Sequence, residues 1–286
     1  MSSSTNISGE YGAALNKKEE VGDALRPLYT EVKIFGRVLN DYLTMFSISD
    51  TKIHEWVHSN YAVLDCNSGP SSFAAQVYEN YSLAITCADP IYSLSPAKIK
   101  QVSERDIEEL FTNLHDVRNS PDDGGLMFGA RYWHEKFQAL ADFAADFERL
   151  QDLRYVACRL PNLPFETRSF DVVLSSHFLF AYAPYSDGGI MDDREAGQLD
   201  DSHTFDLQFH LRAMDELARV SKHEIRIFPV TCIGNWVADI SEPHLGAKWH
   251  PYLGACVERL QEIGFETKVL ETTYYKGGKL LIATRI

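Results

Sequence analysis

The sequence predicts an α/β fold: a doubly wound, mostly parallel seven-stranded sheet with a C-terminal antiparallel hairpin and a helical insertion after the second strand. Three observations predict it. Short apolar runs closed by an acid alternate with stretches of helical spacing. The first two runs and the helix between them fit within about 30 residues, a strand–helix–strand unit that implies parallel pairing and a right-handed crossover. Near the end of the chain, Gly277-Gly278 separates two β-rich runs.

Residues 1–28 are polar and aperiodic and read as a flexible N-terminal arm; residues 29–286 read as one domain. From Glu31 to Phe46, the positions Val32, Phe35, Leu39, Tyr42 and Phe46 mark one face of a helix, and a second helix covers Thr51–Ser59. Tyr61–Cys66 is a strand. Asn67–Ser72 is a loop of small side chains, and Phe73, Ala74 and Val77 restore helical spacing. Ser82–Asp89 is again a strand closed by an acid. Residues 95–151 interrupt the alternation. Pro96 opens one helix there, and Trp133, Phe137, Leu140, Ala141, Ala144 and Phe147 mark the buried face of another. This insertion is expected to pack over the carboxyl ends of the strands, with Trp133 and Phe137 inward.

Arg154–Cys158 and Phe170–Ser176 resume the strands. The latter is nearly all apolar, as in a central strand covered on both faces. Residues 186–203 carry six acids against Arg194 and read as a solvated loop. A helix with Leu207, Leu211, Met214 and Leu217 leads to the strand Glu224–Val230. Helix Leu253–Ile263, strand Glu266–Thr273, a tight hairpin at Lys276–Lys279 and strand Leu280–Thr284 complete the order.

The chain has 286 residues and a formal charge of −14. That balance argues against nucleic acid or an anionic membrane surface as partner and for a neutral or cationic small-molecule substrate. The first residues show no signal-peptide pattern, and no apolar run approaches the ~20 residues of a membrane span. The five cysteines are odd in number, widely spaced and without a Cys-x-x-Cys pair, as expected of buried thiols in a cytosolic protein.

In an open parallel sheet, ligands bind outside the carboxyl ends of the strands where the strand order switches. The segments there are Asp65–Ser72, Asp89–Tyr92, Cys158–Leu160 and Ser175–His177. Ser68, Gly69 and Ser71 let the backbone approach a ligand at the start of a helix. The Asp89-Pro90 pair closes the second strand, and Asp89 is placed to accept from both ribose hydroxyls of a nucleoside cofactor. Taken alone, the pair reads as a strand-ending turn. A dinucleotide needs glycines that admit a pyrophosphate, and only Gly69 is present, followed at once by Pro70. S-adenosyl-L-methionine has no pyrophosphate, and the acid at Asp65 suits its cationic end.

These residues resemble class I S-adenosylmethionine-dependent methyltransferases. Val63–Ser71 resembles their first motif, Ile85–Pro90 their ribose-binding acid, and Leu163–Leu174 the approach to their fourth strand. The chain is most similar to a little-characterised bacterial branch with an Asp-Cys-x-Gly-Gly-Pro-Ser-Ser-Phe loop. Asp65–Phe73, Asp89–Tyr92, Ser176–Phe180 and Arg226–Pro229 match that branch. The resemblance runs from about Tyr29 to the end. It implies methyl transfer to a small-molecule acceptor. Asp65, Asn67, Ser68 and Gly69 would serve the methionine end, Asp89 and Pro90 the ribose, and Leu160 the adenine; Ser176 and His177 would border the transfer site.

The chain also departs from the family. Asn67, Ser68 and Ser71 stand where glycines are usual, and Cys158-Arg159 replaces the acid that contacts adenine. The alternative is therefore a methyltransferase-like fold that acts as a non-methylating enzyme or a binding protein. His177, just past the fourth strand, is the best-placed titratable group for acid–base work, and a core histidine beside Phe178 and Phe180 is its bland reading. Tyr182, Tyr92 and Tyr11 are candidates to line the acceptor pocket. His203, His210, His244 and His250 show no metal-ligand spacing.

Overall fold

In a computed structural model, the described residues are 34–113, 130–181, 185–186, 189–190, 205–231, 249–274 and 278–286. The expected N-terminal arm, Tyr11, Tyr182, His203, Cys232 and His244 lie outside them. So does the side chain of Trp133.

Seven strands form one sheet in the order β3-β2-β1-β4-β7-β9-β8. They are β1 (Val63–Cys66), β2 (Ile85–Ala88), β3 (Tyr155–Val156), β4 (Phe170–Ser176), β7 (Ser221–Phe228), β8 (Phe265–Glu271) and β9 (Lys279–Arg285). Every pairing is parallel except those of β9, which runs antiparallel to both β7 and β8. β1 and β4 are adjacent and central, with Asp65 opposite Leu174 and Cys66 opposite Ser175. All residues of both are buried. The strand order reverses between them, so the ligand crevice expected of such a sheet opens at Cys66 and Ser176.

Alternate strand residues feed two cores, as the two-residue period of a strand dictates. Val63, Ile85, Cys87, Val172 and Leu174 face helices α1 (Leu39–Met45), α2 (Asp50–His58), α3 (Phe73–Tyr81) and α5 (Ala130–Arg154). Leu64, Cys66, Val173, Ile225 and Ile227 face α6 (Leu207–Val220) and α7 (Leu253–Glu262). Helix α4 (Pro96–Asn113) packs on α5. Cys66, Cys87, Cys158 and Cys256 are buried free thiols. Among the described residues, no helix is long and apolar enough to cross a membrane.

The structure corrects several expectations. The helix expected over Glu31–Phe46 does not run through residues 34–38: among the described residues it begins at Leu39, after Val38 in extended conformation. Residues 34–38 form a strap instead, because tertiary partners use its backbone. The Ile34 N–H donates to Asp106 of α4, the Leu39 N–H to Gln76 of α3, and the Arg37 carbonyl accepts from Ser71 and Ser72. Gly36 permits this contact, since a Cβ there would lie 1.9 Å from the Pro70 carbonyl oxygen.

Phe137 points outward, 40% exposed. The buried face of α5 is Lys136, Ala139, Leu140, Phe143, Asp146 and Phe147; Ala141 is exposed and Ala144 only half-buried. Two charged residues occupy that face, each with a buried partner, so apolar spacing alone misplaces it. α5 is itself the crossover to β3 and lies along the sheet face beside α3, where Gln76 donates to Asp142. Lys136 of α5 donates to Asp41 of α1, whose Oδ2 also accepts from the Val38 N–H of the strap.

Arg154 belongs to α5 rather than to β3; it binds Asp146 and lies over Tyr78. The acidic loop begins as a small antiparallel hairpin, β5 (Tyr185–Ser186) with β6 (Gly189–Ile190). The C-terminal hairpin pairs as far as Glu271 and Lys279, and the Thr272 N–H donates to the Gly278 carbonyl at 2.9 Å; residues 275–277 of the expected tight turn lie outside the described residues. Gly278 serves packing, because a Cβ there would press on the Phe228 ring at 3.1 Å.

Candidate functional site

Strand β1 carries Asp65 into the crevice, fully buried. Tyr42 of α1 donates from Oη to Asp65 Oδ2 at 2.8 Å, and Oδ1 has no partner among the described residues. Burial pushes the Asp65 carboxyl up to about 8; the Tyr42 bond and the Arg37 charge pull it down, while the Asp89 charge pushes it further up. The Tyr42 ring stacks on Phe73 at 4.0 Å, which fixes its hydroxyl.

The loop after β1 needs positive φ at two positions, Asn67 (62°) and Gly69 (56°). Asn tolerates this region better than other side chains do, and Gly adopts it without cost. Ser68 and Ser71 do not adopt positive φ. The Asn67 N–H donates to the Ala88 carbonyl at 2.7 Å, tying the loop to β2. The Asn67 amide oxygen accepts from Ser175. Ser68 Oγ lies 2.7 Å from Tyr92 Oη, which itself donates to the Gly69 carbonyl, so Ser68 is the donor of that pair. Ser68 and Tyr92 thus hold the loop, and Tyr92 sits against Phe143, Phe147 and Tyr155 rather than lining an open pocket. A Cβ on Gly69 would meet no described atom within 4 Å.

Asp89 joins the two readings made of it. Its Oδ1 accepts from the Ile91 N–H at 3.0 Å and caps the 3₁₀ turn Pro90–Ser93, with Pro90 in its first position. Its Oδ2 accepts from the Gly69 N–H at 2.9 Å. Each oxygen keeps a further lone pair. Burial raises the carboxyl to about 6 against the pull of those two backbone bonds.

At the end of β4, Ser176 is buried, and with Ser71 its hydroxyl opposes the upward shift of Tyr42, which burial holds well above the phenol range. His177 follows in left-handed conformation, φ 47°. Its N–H donates to the Phe228 carbonyl at 2.6 Å, and its ring meets Phe228 and Tyr274 edge-on. Nδ1 is buried without a partner among the described residues. Burial, then the charges of Arg37 and Lys136, hold this imidazole well below the histidine range, so it is neutral at neutral pH.

The third strand contributes differently. Leu160 is 3% exposed and packs in the α6–α7 core with Cys158 and Leu163, while Arg159 is exposed. His210 and His250 are buried beside Phe180, with rings 5.1 Å apart. Among the described residues, no three His, Cys, Asp or Glu side chains group to hold a metal ion.

Asp65, Asn67, Gly69, Asp89, Ser176 and His177 therefore lie at the carboxyl ends of the neighbouring strands β1, β2 and β4, and Leu160 lies in the core. Sequence reasoning missed Arg37, Tyr42 and Lys136. Tyr42 was legible only as a core position. No spacing links Arg37 or Lys136 to the β1 loop.

No protein-family model matches the chain. It is 27% identical over 198 residues to an uncharacterized protein of Methanocaldococcus jannaschii, covering 69% of this chain and 77% of that one. Among solved structures, it is similar to magnesium protoporphyrin IX methyltransferase of Synechocystis with bound S-adenosylmethionine (12% identity, TM-score 0.40, all of both chains). It is also similar to geranyl diphosphate C-methyltransferase of Streptomyces coelicolor (10% identity, TM-score 0.38, all of both chains). Likenesses this distant carry no argument about activity.

Proposed function

We propose that this chain binds S-adenosylmethionine and transfers its methyl group to a small-molecule acceptor. One observation carries the reading. At the strand-order switch, a buried acid with an unpartnered oxygen and a second acid flank a loop whose two positive-φ positions are Asn67 and Gly69. Asp65 Oδ1 is placed for a ligand ammonium. Asp89, already fixed to the loop through Gly69, is placed for a pair of ribose hydroxyls. Bound there, the cofactor supplies a methyl group on a positively charged sulfur. Positioning the acceptor is then the main task left to the protein. Ser176 and the neutral His177 orient groups at the end of β4; an imidazole held this far below its usual range is a hydrogen-bonding group before it is a base.

Calorimetry with S-adenosylmethionine and S-adenosylhomocysteine tests the reading. Wild type is expected to bind both. Asp89→Ala removes the acceptor of two hydroxyl bonds, each worth about 1.5–3 kcal/mol to a charged group, and is expected to weaken binding at least about tenfold. No heat from wild type at millimolar ligand would favour the non-methylating alternative, which the exposed Arg159 in place of an adenine-contacting acid also motivates.

A further inference from the structure

The sheet ends at β8, three places from β4 and the site at its carboxyl end. Among the described residues, β8 pairs with β9 alone, from Phe265–Arg285 to Glu271–Lys279, and its other side carries no strand. A strand edge of this length, seven residues, is a template for a further strand, because its outward N–H and C=O groups want partners. The opposite edge of the sheet, β3, has two residues and offers no comparable template.

The side chains of β8 alternate between the two faces. Phe265, Thr267 and Val269 are buried or half-buried. Phe265 and Val269 pack in the α6–α7 core, and Thr267 Oγ1 accepts from Gln261 at 2.9 Å. Glu266, Lys268 and Leu270 are exposed on the other face, Leu270 at 37%. Among the described residues, neither Glu266 nor Lys268 makes an ion pair. Opposite charges two residues apart on one face make a strand complementary to its own reverse. A two-fold axis through Thr267 sets Glu266 of one copy opposite Lys268 of the other, twice over. The same register sets Phe265 opposite Val269 on the core face. It also sets the exposed Leu270 opposite Gly264, which has no side chain; a Cβ there would meet no described atom within 4 Å. The neighbouring registers are worse. An axis through Glu266 or through Lys268 sets that charge against itself, and a slip of one residue sets the exposed face of one strand against the core face of the other.

We propose that β8 pairs antiparallel with β8 of a second copy of this chain, about a two-fold axis through Thr267, joining the two sheets into one. The contact is isologous, so it consumes both free β8 edges and closes at two copies. Backbone hydrogen bonds hold the strands together, and the two Glu266–Lys268 pairs fix the register and the choice of partner. The pairing does not rest on the cofactor reading, since β8 contributes no residue to that site.

Sedimentation equilibrium of the full chain tests this. Wild type is expected to be a dimer at micromolar concentration, with slowed amide exchange over Phe265–Glu271 in the dimer. Glu266→Lys and Lys268→Glu each turn two opposite-charge pairs into two like-charge pairs, and each is expected to weaken dimerisation at least about tenfold. Both positions are exposed, so each variant is expected to fold. Mixed together, the two single variants present unlike charges to each other at both places and are expected to dimerise about as well as wild type. The chain carrying both substitutions is expected to do so alone. A wild type that is monomeric throughout overturns the proposal and leaves the edge to a different partner. A dimer that neither single reversal weakens, or that the mixture does not restore, places the contact elsewhere and also overturns it. Assembly beyond two copies overturns the closed two-fold pairing.

Discussion

Tyr42→Phe isolates the most informative contact in the site. The substitution removes one oxygen and keeps the ring that stacks on Phe73 at 4.0 Å. What is lost is the 2.8 Å donation to Asp65, which favours the ionised carboxylate. A bond of that kind is worth about 1.5–3 kcal/mol, and one pKa unit is about 1.4 kcal/mol, so Asp65 should rise by roughly one to two units. Starting from about 8, wild-type Asp65 is ionised in about one molecule in ten at pH 7; in the variant the fraction is about one in a hundred or fewer. A ligand ammonium binds the ionised form. Affinity for S-adenosylmethionine at pH 7 is therefore expected to fall about 10- to 100-fold. Calorimetry in buffers of different ionisation heat gives a second readout. Wild type should release nearly one proton per ligand at pH 7, and its affinity should climb between pH 6 and 8, flattening near 8. The variant should keep climbing. Binding with no proton released and no pH dependence would show that the ammonium does not face Asp65, and the site would need to be redrawn.

Other consequences follow from the same network. Asp65 is raised from its unfolded value, so the folded state holds a proton that the unfolded chain gives up. Its contribution is fully present below about pH 4 and is lost as pH rises to about 8, with Asp89 adding a loss up to about 6. Asp65→Asn should flatten that decline, by an amount on the order of several kcal/mol, in denaturant melts between pH 4 and 8; an unchanged slope would refute the assignment. Gly36→Ala places a Cβ 1.9 Å from a backbone oxygen and should cost about 1–3 kcal/mol or displace the strap, read as a lowered melting temperature. Lys136→Met leaves Asp41 buried without its ammonium and should cost about 3–5 kcal/mol; adding Asp41→Asn should recover most of it in a double-mutant cycle.

The order of elements was legible because local chemistry writes it directly. Phe170–Ser176 is apolar at nearly every position, as a strand covered on both faces must be, and the structure places it centrally beside β1. The strand–loop–helix–strand run from Val63 to Ala88 required parallel pairing, and the acids that close its two strands marked the crevice. Leu270 and Leu280 fell in β-rich runs on either side of Gly277-Gly278, and their strands pair antiparallel. Periods of two and about 3.6 residues are properties of the chain itself, so they survive without tertiary information.

What the sequence could not decide is where partners are distant. Residues 34–38 carry helical spacing yet form a strap, because Asp106, Gln76, Ser71 and Ser72, up to 72 residues away, take their backbone groups. The buried face of α5 includes Lys136 and Asp146, whose partners lie on α1 and at the start of β3, so apolar periodicity pointed Phe137 the wrong way. Tyr42 looked like one more core aromatic until the fold set its hydroxyl on Asp65. The sequence alone determined the sheet, its crossovers and the two acids of the crevice, since those follow from periodicity and from strand ends. Only the tertiary structure decided which side chains face those acids and with what charge, since a buried polar group is stable only beside a partner that the chain delivers from elsewhere.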